Sequence, residues 1–118
     1  MNGRCITTPP LEQYVLPGIT RGVAMELAQN MGFTVVEEEI PLDRLKDFDC
    51  AFLSGTATGL RSVRSIYDQN ERRVYSFSPH HNPFLELQDQ FNMLIHGMEV
   101  DPRNRDLQHR VRSIKVDF

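Results

Sequence analysis

Cysteine is scarce in this chain. Cys5 and Cys50 stand alone, without the paired spacing of a zinc site or a disulfide framework, so a reducing, cytoplasmic setting is expected. Long apolar runs are missing too. None approaches the roughly 20 residues that cross a bilayer. The polar stretch Met1 to Thr8, followed at once by Pro9-Pro10, is no signal peptide. Excess positive charge is also lacking: the formal net charge is −3. Of the 13 basic residues 11 are arginines, spread from Arg4 to Arg112, which gives no basic patch for nucleic acid. There is no internal repeat and no low-complexity segment. What remains is a 118-residue chain, 40% hydrophobic and 25% charged, the composition of one globular domain with a modest core.

Elements alternate along it. Asn2-Gly3 signals a hairpin turn, and Arg4 to Thr7 reads as the return strand. Only Met1 precedes that turn, which suggests a chain that begins inside a larger fold; a simple N-terminal turn is the other reading. Val23, Ala24, Leu27, Ala28 and Met31 recur at helical steps, predicting a helix over Thr20–Met31 with Gly32 and Phe33 forming a Schellman stop. Thr34 to Ile40 reads as a strand whose Glu37-Glu38-Glu39 end is a solvated face. Pro41 to Phe48 fits a short helix. Cys50 to Leu53 has the apolar run of a buried strand. Leu60 to Tyr67 and Arg72 to Phe77 read as strands around an Asp68-Gln69-Asn70 turn. Phe84, Leu87, Phe91, Leu94 and Ile95 form the stripe of a second helix, opened by Asn82-Pro83 and stopped by Gly97. In the tail, Ile114, Val116 and Phe118 alternate with charged residues, predicting a terminal strand.

Two stretches suit an anion. In Leu16-Pro17-Gly18-Ile19-Thr20-Arg21, Pro17 disfavours helix at Leu16, Gly18 permits a close approach, and Thr20 is placed to cap the helix. Free backbone N–H groups at a helix start favour phosphate, although a plain capped helix would leave the same pattern. The second stretch is Ser54-Gly55-Thr56-Ala57-Thr58-Gly59, small residues directly after the apolar run. It can cradle a phosphate or carboxylate, or serve as an ordinary turn; it lacks the lysine and spacing of a Walker loop.

Other polar residues carry less. His80-His81 has no third ligand at metal spacing. His96 falls in a last helical turn, where an imidazolium suits the dipole. Ser54 and Ser62 lack a nucleophile-elbow context. No metal ligand set and no catalytic residue is assigned.

Taken together, Leu16 to Arg21, a helix, Val35-Val36-Glu37, Phe52-Leu53-Ser54-Gly55-Thr56-Ala57 and Val63-Arg64-Ser65-Ile66 resemble the C-terminal half of a class IV aminotransferase. These are the fold-type IV pyridoxal-phosphate enzymes, and the Ser-Gly-Thr-Ala and Val-Arg-Ser-Ile segments resemble the branched-chain members most. The resemblance covers residues 1–97 and leaves 98–118 as a tail of unassigned role. It implies an α/β domain, a mixed sheet or pseudo-barrel flanked by the Thr20–Met31 and Pro83–His96 helices. It also implies that Leu16, Gly18, Ile19, Thr20 and Thr56 hold pyridoxal 5'-phosphate, with Leu16 on the ring and the others at the phosphate. The N–H groups of Thr56 and Ala57 would face the substrate carboxylate.

The sequence departs from that family in two ways. The Schiff-base lysine and the acidic partner of the pyridine nitrogen lie upstream of the Gly-Ile-Thr motif in the family. Only 15 residues precede Leu16, none of them lysine, and Lys46 and Lys115 match no such position. The expectation is a domain that needs an N-terminal catalytic partner, forms a homo-oligomer with it, acts on amino acids and 2-oxo acids, and is inactive by itself. The alternatives are a non-catalytic module binding a phosphorylated ligand or partner chain, and a domain of an aminodeoxychorismate lyase or D-amino-acid aminotransferase. Second, Gly59, Arg61 and Ser62 replace the more usual Glu, Thr and Pro.

Overall fold

The computed structural model describes residues 1–10, 19–55, 59–77 and 81–112. The chain opens on a tight turn in which Asn2 and Cys5 exchange two 2.8 Å backbone hydrogen bonds, with Gly3 at φ +54. Strand β1 (Cys5–Thr8) follows, then helix α1 (Ile19–Asn30), then strand β2 (Thr34–Glu37). β1 and β2 pair in parallel, in register from Cys5 opposite Thr34 to Thr8 opposite Glu37. α1 is the crossover that a parallel pair requires.

The stop of α1 has the expected geometry. The Phe33 N–H donates to the Ala28 carbonyl at 2.9 Å, and the Gly32 N–H to Gln29 at 3.1 Å. Gly32 sits at φ +87, a conformation that costs a residue without Cβ nothing. Phe33 is thereby turned back into the core, 4% exposed. Thr20 is the second residue of α1, not its cap.

A 3-10 helix (Leu42–Asp47) buries Leu45 and leads to strand β3 (Ala51–Gly55). Strand β4 (Gly59–Val63) returns antiparallel to it, from Gly55 opposite Gly59 to Ala51 opposite Val63. After a break at Arg64, β5 (Ser65–Tyr67) pairs antiparallel with β6 (Arg73–Ser76). The turn between them is held by the Asp68 carboxylate, which accepts 2.9 Å bonds from the Asn70 and Arg72 amides. So the expected Leu60–Tyr67 strand is two strands serving different partners, and the pairs, parallel and antiparallel, form three two-stranded sheets among the described residues in place of one mixed sheet. The expected strand Thr34–Ile40 ends at Glu37.

Helix α2 (Asn82–Ile95) starts one residue before the expected Pro83, with His81 at the cap position. It lays Phe84, Leu87, Phe91 and Leu94 into the core. Its Schellman stop mirrors that of α1: Gly97 is at φ +70, and the Met98 N–H donates to Met93 at 2.9 Å. A 3-10 turn (Pro102–Asn104) then leads into helix α3 (Arg105–Arg112), where the sequence reading placed nothing; the terminal strand expected over 114–118 lies outside the described residues. Asp101 caps that turn by accepting from the Arg103 amide at 2.9 Å. Val100 and Leu107 join the main core, and Arg110 pairs with Glu26 of α1.

The core sits between α1, α2 and the two-stranded sheets. Leu27, Ala28 and Leu87 are wholly inaccessible there. A smaller cluster of Leu45, Phe48 and Phe77 seals the side of the 3-10 helix. Asn104 is the exception to an apolar interior. It is fully buried, its amide nitrogen reaches Gln90 of α2 at 3.4 Å, and its Oδ1 has no partner among the described residues.

Candidate active site

The first turn of α1 carries N–H groups that no intrahelical carbonyl can meet, and Ile19 and Thr20 own two of them. Their partial positive charge is what a phosphate seeks. Leu16 and Gly18, like Thr56 and Ala57, lie outside the described residues, but the structure places the residues that flank both stretches. Arg21, next after Thr20, and Ser54, two before Thr56, line one cleft of about 350 Å³. Thr8 and Pro9 at the end of β1 form its rim, and Phe48 and Phe52 are among its apolar walls. The β3–β4 register carries the strands toward residues 56–58 at the closed end of the hairpin.

Arg21 organises this end of the domain. Its side chain is only 14% exposed. One Nη donates to the Pro9 carbonyl at 2.9 Å, Nε to the Thr8 hydroxyl at 3.4 Å, and the guanidinium lies 3.8 Å from the Glu37 carboxylate. It therefore ties the start of α1 to the ends of both parallel strands. The sequence reading took the arginine only as part of a motif. The available signal was the acidic run at the end of β2, read as a solvated face: Glu37 answers Arg21, and Glu38 answers Arg44 at 3.2 Å.

The remaining candidates separate. Lys46 is exposed on the 3-10 helix and is not among the residues lining the cleft. His81 is half-buried, its Nε2 3.2 Å from the Gly3 carbonyl, and is no member of a metal cluster among the described residues. His96 is the exposed C-cap of α2. Leu53, expected in a buried strand, is 64% exposed on the cleft. Gly59 is buried at φ +65, a backbone conformation that strains the usual Glu, although a Cβ there would meet the Phe91 ring only in ordinary contact at 3.4 Å.

Cys50 immediately precedes β3, lines the cleft and is 3% exposed. Burial pushes its thiol up from 9.0 to about 11. Two results are expected. At pH 8 iodoacetamide should modify native Cys50 about 100-fold more slowly than an ordinary thiol, since only the thiolate attacks. And because the folded protein favours the protonated thiol, its stabilising contribution is complete below pH 9.0 and is lost as pH rises toward 11. Mass mapping of the alkylated peptides, with alkaline unfolding of Cys50→Ala as reference, measures both.

This layout, a parallel βαβ unit whose helix start faces the loop end of a hairpin, has known counterparts. The family described as amino-transferase class IV matches residues 1–66. The chain belongs to that family. It is 39% identical over 75 residues, 64% of its length and 20% of the relative's, to mitochondrial branched-chain-amino-acid aminotransferase 1 of Arabidopsis thaliana. A methionine aminotransferase of the same plant is 39% identical over 66 residues, 56% of this chain and 19% of that one. Among solved structures, the branched-chain amino acid aminotransferase of Escherichia coli superposes with a TM-score of 0.54 at 27% identity, covering 80% of this chain and 29% of the other. The chain thus spans about a fifth of the length of these curated relatives. Among the described residues no helix is long and apolar enough to cross a membrane.

Proposed function

We propose that this chain is the cofactor-phosphate- and substrate-carboxylate-binding domain of a pyridoxal-phosphate-dependent transaminase that moves an amino group between a branched-chain or related amino acid and a 2-oxo acid. The observation that supports the reading is that α1 starts at Ile19 and that Arg21, next after Thr20, shares one cleft with Ser54. The donor set fits a phosphate: first-turn amides of Ile19 and Thr20, the hydroxyls of Thr20 and Thr56, and Gly18, which leaves the approach open. Leu16 would cover one face of the pyridine ring. The Thr56 and Ala57 amides would orient the substrate carboxylate. Phe48 and Phe52 exclude water from the cleft wall. When bound, pyridoxal phosphate supplies the electron sink for amino transfer. This chain's residues bind and orient. The covalent lysine belongs to an N-terminal domain, in a homo-oligomer, and free Cys5 and Cys50 suit the cytoplasm. Methionine as donor is a second reading, favoured by the methionine aminotransferase among the relatives.

Pyridoxal 5'-phosphate added to the chain should bind weakly and reversibly, compete with inorganic phosphate, and lose about tenfold in affinity in Thr20→Ala, the value of one charge-assisted hydrogen bond. Pyridoxal without the phosphate should not bind. Borohydride should trap no stoichiometric adduct at Lys46 or Lys115. Binding that ignores both Thr20→Ala and Thr56→Ala would overturn the assignment of the cleft.

A further inference from the structure

A second cavity, also of about 350 Å³, lies at the open end of the β3–β4 hairpin. Arg61, Ser62 and Arg64 line it from β4 and the break that follows. His81 and Phe84 line it from the start of α2, and Cys50 is the one residue it shares with the α1 cleft. The register sets the two ends apart: Ala51 faces Val63 at this end, and Gly55 faces Gly59 at the other, next to residues 56–58.

Arg4, Arg21, Arg44, Arg103 and Arg110 each reach a carboxylate within 4.0 Å. Arg61 and Arg64 reach none among the described residues; Arg72, Arg73 and Arg105 reach none either, but Arg61 and Arg64 share a cavity. Both are exposed side chains that line one hollow. His81 is fixed beside them through the Gly3 carbonyl at 3.2 Å. Arg61 and Ser62 also stand where class IV sequences more usually carry Thr and Pro.

We propose that the cavity binds a phosphate-bearing small molecule. The Arg61 and Arg64 guanidiniums take its oxygens through paired N–H donors, with the Ser62 hydroxyl beside them. Two guanidiniums and a hydroxyl suit a tetrahedral dianion better than a flat carboxylate. The volume is at the small end of ligand pockets and leaves room for a short ester chain against Phe84.

The test is a titration of the whole 118-residue chain with inorganic phosphate, glycerol 3-phosphate and succinate, read by amide chemical shifts at constant ionic strength. Phosphate should shift the amides of Ser62 to Arg64 and of His81, Asn82 and Phe84, and succinate should bind at least threefold more weakly, roughly the gap expected from losing part of one charged hydrogen bond. Tighter binding of the ester than of the free ion would identify an organic phosphate as the natural source; equal binding would identify phosphate itself. Arg61→Ala and Arg64→Ala should each weaken binding about tenfold. Arg61→Gln and Arg64→Gln serve if an alanine variant loses its native spectrum. Shifts confined to residues 19–22 would assign the anion to the α1 start and overturn the inference, as would arginine variants that bind like the original.

Discussion

Leu27→Ala is expected to cost about 3–4 kcal/mol and lower Tm by roughly 10–20 °C. Leu27 is at 0% exposure in the middle of α1, in the same cluster as Leu87 and Phe91 of α2 and Leu107 of α3. Truncation removes the transfer energy of the lost carbons and leaves a cavity that close-packed neighbours refill only in part. A domain of this size has about 5–15 kcal/mol in total, so one residue decides much of it. Leu53→Ala is the matched control. The same deletion at a side chain 64% exposed should stay within about 0.5 kcal/mol. Chemical denaturation of both variants gives the comparison, and equal losses would mean that Leu53 is covered as the sequence pattern expected.

The contrast between those leucines shows where the sequence was legible. Periodicity worked where one face of an element meets one core. The apolar stripes of α1 and α2 and their glycine stops reappear in the structure within a residue or so. It failed where pairing is long-range. Cys50 to Leu53 is apolar enough for a buried strand, but among the described residues β3 has only β4 beside it, and the successive residues Cys50 to Ser54 line the open cleft. The small residues after β3 fit a tight hairpin return as well as an anion cradle, and nothing local separates the two. α3 was invisible because Leu107 and Val111 are the apolar residues in Arg-Asp-Leu-Gln-His-Arg-Val-Arg, one step of a stripe. Its capped approach, Asp101 before Pro102, was the signal available. Asn104 was equally hidden, since composition does not reveal that a polar side chain is wholly enclosed.

The candidate site was legible through motif more than through chemistry. The α1 start stood out because Pro17, Gly18 and Thr20 each restrict the backbone in a known way. What that reasoning passed over was the residue holding the start in place. An arginine after a helix start reads as solvated unless its partners are known, and those of Arg21 come from β1 and β2, on either side of the crossover.

Arg21→Ala should therefore lower stability by about 2–3 kcal/mol, the value of a charge-assisted hydrogen bond with its packing. The largest share comes from the 2.9 Å bond to the Pro9 carbonyl, which the truncation leaves without this donor. The Glu37 contact adds less, since at 3.8 Å and with that carboxylate 47% exposed water screens it. Arg21→Lys should recover under half of the loss, because one ammonium cannot span Pro9, Thr8 and Glu37 together. Arg44→Ala is the control: its pair with Glu38 is 43% exposed on both sides and should be worth about 0.5 kcal/mol. A functional effect should accompany the stability effect at temperatures where the variant stays folded. Freed from β1, the first turn of α1 no longer holds the Ile19 and Thr20 amides at a fixed point, and preorganised donors lose their advantage when they must be ordered on binding. Pyridoxal phosphate affinity should fall about tenfold in Arg21→Ala with the circular dichroism spectrum unchanged. If Arg21→Ala instead matches Arg44→Ala in both stability and binding, the arginine is a surface charge and the α1 start is held by other means.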